Sequence, residues 1–370
     1  MLLPRVKDGH RPFRFDDGTL RVGGEIYGIA TEITDPQGLV WTTLTLMDGT
    51  RTTEDVVTGV RDSLPGVSRS AAREIVDMML ASGHVEDAGA RVPEELGERE
   101  RARYDRSRGF FQRVDLTPRE HGWEAQLRLK GARVVVLGLG GTGSHAAWAL
   151  ATSGVGRLHC VDTDVVELSN LNRQVLYTEA DVGRAKADVA VAALRRVNSD
   201  IEITGERRRI GTESAFESLL GDCDVLALCA DEPRGRGIRI WANRVCARAG
   251  VPWVGGGYNG PLVTVGTFTH RDGACYECLA EGEARRLRPG LPVDLGGPGV
   301  LATSAGISGQ LVAHAVISLI TGVPEPAAGT VVGMNLIAPD QHVWIRHPPR
   351  PGCPVCGSAA SRAPAREAPA

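Results

Sequence analysis

An apolar run that breaks into glycines and then into a helix constrains this chain more than any other feature. Val134-Val135-Val136-Leu137 is followed by Gly138-Leu139-Gly140-Gly141-Thr142-Gly143-Ser144. Such an unbroken apolar run reads as a strand buried on both faces. Glycine lets the backbone approach a ligand closely, and the free N–H groups of a helix starting near Ser144 favour a phosphate. Asp162 closes the next expected strand, where an acidic side chain accepts hydrogen bonds from ribose hydroxyls. This much suits a nicotinamide dinucleotide as well as ATP. A tight structural turn is the plainer alternative for the glycines alone.

The surrounding pattern sets the fold class. Expected strands at 133–139, 158–162, 201–204, 225–230 and 251–255 alternate with helical stretches, notably 143–153 and 185–197. Alternation of this kind implies βαβ units, hence an α/β, Rossmann-like, mainly parallel sheet. A polar loop leaves the second strand, running from Asp162 and Asp164 to Ser169-Asn170-Leu171-Asn172-Arg173-Gln174, and Lys186 opens the next helix. Arg173 and Lys186 place two cations where a triphosphate would lie, whereas a dinucleotide brings only a pyrophosphate. Asp231 follows another apolar strand and faces the same crevice, where its carboxylate suits Mg²⁺. Each charge alone reads more simply as a solvated surface group. Their joint placement at strand ends does not.

Four of the eight cysteines form two C-x-x-C pairs, Cys275/Cys278 and Cys353/Cys356. Together they supply the thiolates of a closed tetrahedral Zn²⁺ site; a redox pair is the competing reading. A closed site keeps no position for a substrate water, so the metal is expected to staple the fold. Cys160, Cys223, Cys229 and Cys246 stand among apolar neighbours and are expected in the core.

The glycine run, Asp162-Thr163-Asp164, Ser169 to Gln174, Lys186 and Cys229-Ala230-Asp231 together resemble the MoeB/ThiF adenylyltransferase family, relatives of the ubiquitin-activating enzymes. The resemblance implies that ATP and Mg²⁺ are bound by Gly138, Gly140, Gly141, Gly143, Asp162, Asp164, Ser169, Asn170 and Asn172. It also implies that Arg173, Lys186 and Asp231 serve the attack of a carboxylate on the α-phosphate. Arg103-Tyr104-Asp105-Arg106 is similar to the family's Arg-Tyr-x-Arg segment, which implies that Arg106 reaches the ATP of the other subunit in a homodimer. Zinc on the two cysteine pairs is likewise implied. One departure stands out: residues 279–310 contain no cysteine, where ubiquitin-activating enzymes and ThiF-like sulfurtransferases carry a reactive one. The reaction is therefore expected to stop at the acyl-adenylate or to pass it to an external nucleophile. Arg285, Arg286 and Arg288 in this stretch read either as contacts for an acidic substrate tail or as a solvated cluster.

Four segments are expected: a module at 1–90, a linker and helix at 91–108, the adenylation domain with its zinc site at 109–357, and a disordered tail at 358–370. In the module, strand-like patterns at 13–23, 25–33 and 39–47 precede helices marked by Val56, Val57 and Val60, then by Ala72, Ile75, Val76, Met79 and Leu80. Ser68 or Ser70 is expected to cap the second helix. This winged-helix-like α+β order resembles the PqqD-like peptide-recognition element. The likeness implies that the leader of a ribosomally made precursor peptide pairs with an exposed strand edge. A DNA-reading winged helix is the alternative, but the second helix offers only Arg73 against Glu74 and Asp77.

A formal charge of −3 gives no general attraction to nucleic acid or an acidic membrane. The apolar stretch 305–323 carries Ser308, Gln310, His314 and Ser318, and so is expected as a buried helix. The start shows no signal peptide, and a cytoplasmic protein is expected. The expected activity is ATP-dependent adenylation of a carboxylate on a precursor peptide. The alternatives are a leader-binding scaffold without catalysis and activation of a ubiquitin-like sulfur-carrier protein.

Overall fold

The computed structural model describes residues 2–25, 28–231, 237–269, 273–288 and 299–357. The expected disordered tail and part of the cysteine-free stretch lie outside the described residues. The chain divides into two compact units, Met1–Leu127 and Arg128–Ala370.

The first unit contains β1 (Pro4–Val6), β2 (Phe13–Arg14), β3 (Thr19–Val22), β4 (Thr31–Thr34), α1 (Leu39–Leu46), α2 (Thr53–Ser63), α3 (Arg69–Ala81), β5 (Val85–Asp87) and α4 (Glu98–Val114). β2, β3 and β4 form an antiparallel sheet in that order, and β1 pairs with β5. Val22, Leu44, Met47, Val56, Val60, Ile75, Val76 and Val85 share one core. Ser68 caps α3, its hydroxyl accepting from Ala71 N–H.

Residues 39–47 were expected as a strand, and the structure makes most of them the helix α1. Leu39-Val40-Trp41-Thr42-Thr43 has the β-branched content of a strand, but tertiary context overrides that preference. The Asp35 carboxylate accepts from Trp41 N–H at 2.9 Å, satisfying a donor in the first turn. Thr43 and Thr45 each turn their hydroxyls back to the carbonyl four residues earlier.

The unit boundary also falls later than the composition implied. Lys7, buried, donates to the Asp115 carbonyl at 2.9 Å, and Gln112 Nε2 donates to Glu86 at 2.6 Å. Leu96, Tyr104 and Trp123 form a small buried cluster. The stretch from 91 to 127 therefore clusters with the front module. Its apolar anchors are few but well spaced, and a composition average hides them.

After α5 (Glu124–Gly131), inside which the division falls, the second unit runs β6 (Arg133–Leu137), α6 (Gly141–Thr152), β7 (Arg157–Val161), α7 (Lys186–Val197), β8 (Glu202–Glu206), α8 (Glu213–Leu220), β9 (Val225–Leu228), α9 (Gly237–Ala249) and β10 (Trp253–Asn259). It continues through β11 (Leu262–Phe268), α10 (Tyr276–Arg286), α11 (Ala302–Thr321), β12 (Thr330–Asn335) and β13 (Ala338–Arg346). The sheet order is β13-β12-β11-β10-β9-β6-β7-β8. β8, β7, β6, β9 and β10 are parallel, and β11 to β13 extend the sheet antiparallel. The chain winds outward from β6 to β8, then returns to the other side of β6 at β9. That reversal is a topological switch point, and ligands of open α/β sheets bind at the carboxyl ends of the strands beside it.

The expected buried helix is α11, which packs on α6, β10 and β11. It is long and apolar enough to cross a membrane, yet Ser304, Ser308 and Ser318 are buried against the protein. At Gly309 a Cβ would lie 2.4 Å from the His145 Cβ and 2.5 Å from the Thr142 carbonyl, so glycine sets the close approach of α11 to α6.

Candidate functional site

Leu137 and Leu228 lie opposite each other at the ends of β6 and β9. Beyond them Gly138 turns the chain with φ +92°, and a Cβ there would sit 2.6 Å from Ala230 N. Gly143 is as tightly constrained, since its Cβ would meet the Gly138 carbonyl oxygen at 1.8 Å. These two glycines are fixed by the turn itself. Gly140 is different: the nearest atom to its missing Cβ is Gln174 Nε2, at 3.8 Å. It caps α6, so open space lies beside the unpaired N–H groups of the first turn, which starts at Gly141.

Asp162, at the end of β7, is 8% exposed. One carboxylate oxygen accepts from Leu139 N–H at 2.6 Å and the other from Asp164 N–H at 2.8 Å. It braces the glycine loop, and both oxygens already carry backbone bonds. Asp164 is the open carboxylate: its side chain is 60% exposed and pairs with Lys186 Nζ at 3.0 Å. The Lys186 side chain is only 7% exposed, so its ammonium is held at the wall of the crevice.

The Ser169–Gln174 segment folds back on this loop. Asn170 is buried, and its Oδ1 accepts from Glu167 N–H at 3.0 Å, closing the turn. Arg173 donates to the Ser169 carbonyl at 2.8 Å and to Asn172 Oδ1 at 2.9 Å, while its buried Nε lacks a protein partner. The His145 Nε2 lies 3.2 Å from the Arg173 carbonyl. Burial lowers the His145 pKa, and the neutral ring with its proton on Nε2 fits that contact.

The structure thus brings Gly138, Gly140, Gly141, Gly143, Asp162, Asp164, Ser169, Asn170, Asn172, Arg173 and Lys186 into one neighbourhood beyond the carboxyl ends of β6 and β7. Asp231 is exposed just past the end of β9, on the far side of the switch point. Arg106 is exposed on α4, in the other unit. Arg285 pairs with Glu281 at 2.6 Å and Arg286 with Glu283 at 3.4 Å, both on α10, which matches the solvated alternative for that cluster. Sequence reading missed Tyr258, which reaches the crevice from β10. Its hydroxyl lies 2.5 Å from where a Gly141 Cβ would be, and no local pattern links positions so far apart in the chain.

The four paired cysteines converge. Cys275 and Cys353 sulfurs are 3.7 Å apart, Cys278 and Cys356 sulfurs 3.5 Å, and all four lie within 4.8 Å of one another. A tetrahedral zinc with bonds of about 2.3 Å needs sulfur separations of about 3.8 Å, so the donor set fits. Burial acts to raise the Cys353 thiol pKa, but the N–H groups of Cys356 and Val355 hold it below the usual range. Ala247, from the last turn of α9, packs beside this cluster. α9 starts beyond the carboxyl end of β9, so its last turn lies at the opposite end of the parallel strands from the crevice. Cys160, Cys223 and Cys246 are buried as expected, and Cys229 is half-buried at the loop.

With this geometry in place, known proteins give a consistent answer. Residues 113–355 match the ThiF family. The molybdopterin-synthase adenylyltransferase of Escherichia coli is 34% identical over 267 residues, covering 71% of this chain and 99% of that enzyme. The E. coli MccB structure with ATP superposes with a TM-score of 0.75 at 23% identity, covering 96% of this chain and 99% of that one. The microcin C7 biosynthetic enzyme MccB with N-formylated MccA gives a TM-score of 0.72 at 23% identity, with coverage of 96% and 99%. A matched span of that length, and a relative aligned almost end to end, make this chain a member of the ThiF family.

Proposed function

We propose that this adenylyltransferase of the ThiF/MoeB type activates a carboxylate on a ribosomally made peptide, using ATP. The observation that carries the reading is the buried Lys186 ammonium paired with the open Asp164 carboxylate beside the glycine loop. An attacking carboxylate and a triphosphate repel each other. Fixed cations at the crevice offset that repulsion and stabilise charge developing on the α-phosphate and the leaving pyrophosphate. The carboxylate oxygen bonds to the α-phosphorus, the bond to the β-phosphate bridging oxygen breaks, and pyrophosphate leaves. Asp164 suits the ribose hydroxyls better than Asp162, because its side chain is 60% exposed and its Oδ2 is the oxygen engaged by Lys186 Nζ. Asp231 would hold Mg²⁺, which supplies charge neutralisation along the phosphates when bound. The four cysteines would hold Zn²⁺ as a structural ion.

Two features favour a peptide over a carrier protein. About 29% of this chain falls outside the match to the molybdopterin-synthase enzyme, by subtraction from the 71% that aligns. The superposition on MccB, an enzyme solved with MccA, spans 96%. In the first unit, the sheet order leaves β4 at an edge with Thr31, Glu32 and Thr34 exposed, a surface to which an extended leader can add as a strand. ATP–pyrophosphate exchange tests the choice. Exchange should appear with a leader-bearing peptide and stay at background with a carrier ending in Gly-Gly. The opposite pattern would shift the assignment to carrier activation, and none with either would leave a scaffold.

Arg106 is proposed to act across a homodimer. Arg106→Ala and Lys186→Ala chains should each be inactive, yet co-refolding equal amounts should restore about a quarter of wild-type exchange. Half the dimers are then mixed, and one of their two sites is intact. A mixture as inactive as its components would exclude action in trans.

A further inference from the structure

The two peptide units that meet at Leu139 in the glycine loop are each held by a buried group. Leu139 lies between Gly138 and Gly140 and is fully buried. Its N–H donates to Asp162 Oδ2 at 2.6 Å, and its carbonyl accepts from the Tyr177 hydroxyl at 3.0 Å. Tyr177 is 6% exposed. Burial, followed by the charge of Asp162, raises its pKa far above the ordinary phenol value, so the hydroxyl keeps its proton and remains a donor. Two neighbouring bonds run between the same segments: His145 meets the Arg173 carbonyl, and Val175 N–H donates to Ser144 Oγ at 3.3 Å.

Peptide units that join glycines have wide rotational freedom, and fixing them after the ligand arrives would cost affinity. We propose that Tyr177 is a positioning residue of the nucleotide site: its hydroxyl locks the Leu139–Gly140 peptide, while Asp162 locks the Gly138–Leu139 peptide before it. The N–H groups that follow at Gly140 and Gly141 then point at the phosphates before ATP arrives. The same bond makes the glycine loop move as one body with the segment carrying Arg173. Tyr177 itself meets no substrate atom. This inference rests on reading the crevice as an ATP site.

Tyr177→Phe keeps the ring and removes only the donor. ATP·Mg²⁺ binding to the full-length, zinc-loaded chain, measured by calorimetry, should weaken by about tenfold, the scale of one lost buried hydrogen bond. Adenosine brings no phosphate to the loop and should bind variant and wild type alike. Leu219→Ala, a buried change on α8 expected to destabilise the fold at least as much, serves as the comparison and should leave the ATP Kd within about twofold. An unchanged ATP Kd in Tyr177→Phe overturns the clamp and leaves the ATP site standing. Equal weakening of ATP and adenosine, or equal weakening in Leu219→Ala, reduces Tyr177 to a general structural role and also overturns it. Wild type that fails to bind ATP overturns the reading of the site, and the clamp with it.

Discussion

Lys186→Ala should abolish ATP–pyrophosphate exchange while leaving the chain folded. Its ammonium is almost fully enclosed, pairs with Asp164, and opens α7 next to the crevice. Its charge is therefore held in place before the reaction begins, and no reorganisation is needed as negative charge develops. Removing one such preorganised group typically lowers turnover by ~10²–10³, about 2.7–4 kcal/mol of transition-state stabilisation. The folding penalty should be small, because the Asp164 carboxylate left behind is already largely solvated and simply hydrates. Lys186→Arg should not restore activity, since a planar guanidinium does not fit a space shaped to a compact ammonium. Exchange at near wild-type rate in Lys186→Ala, with a normal circular dichroism spectrum, would refute the assignment of this crevice.

The second large effect concerns stability. Cys353→Ser should lose the single zinc expected per chain and melt well below the wild type, yet keep most of its exchange activity at 25 °C. The cysteine cluster ties the start of α10 to the segment after β13, closing a loop of 78 residues. A cross-link over a loop of that length removes about 4 kcal/mol of chain entropy from the unfolded ensemble. At about 2–4 °C per kcal/mol for a unit of this size, the melting temperature should fall by roughly 8–16 °C. Activity is spared because the cluster sits at the opposite end of the parallel strands from the phosphate loop. Elemental analysis and a thermal melt with and without chelator provide the check. A wild type that contains no zinc, or a variant that melts unchanged, would remove the structural metal from the account.

Both predictions rest on residues that the chain itself announced. The glycine run, the Ser169–Gln174 segment, Lys186 and the two cysteine pairs are short stretches in which residue type and spacing carry the chemistry. The strand–helix alternation of the second unit was legible for the same reason: the periodicity of a buried strand and of a helix is local. The outcome differed where a decision depended on partners distant in sequence.

Residues 39–46 have the composition of a strand, but Asp35 and the threonine hydroxyls satisfy a helix, and burial of Thr43 and Leu44 selects it. The linker read from charged composition became part of the first unit through a few bonds, such as Lys7 to Asp115, that no composition window registers. Asp162 and Asp164 are equivalent on paper. Only the folded loop shows that the first is buried, with its oxygens accepting from the Leu139 and Asp164 N–H groups, whereas the second is exposed and paired with Lys186. Tyr177 looks like an ordinary aromatic until the chain folds back and its hydroxyl meets the Leu139 carbonyl, 38 residues away in sequence. The sequence by itself determined which chemical groups this protein brings and the class of sheet that carries them. The tertiary structure decided which of those groups remain free to act, because hydrogen-bond satisfaction depends on contacts between segments far apart in the chain.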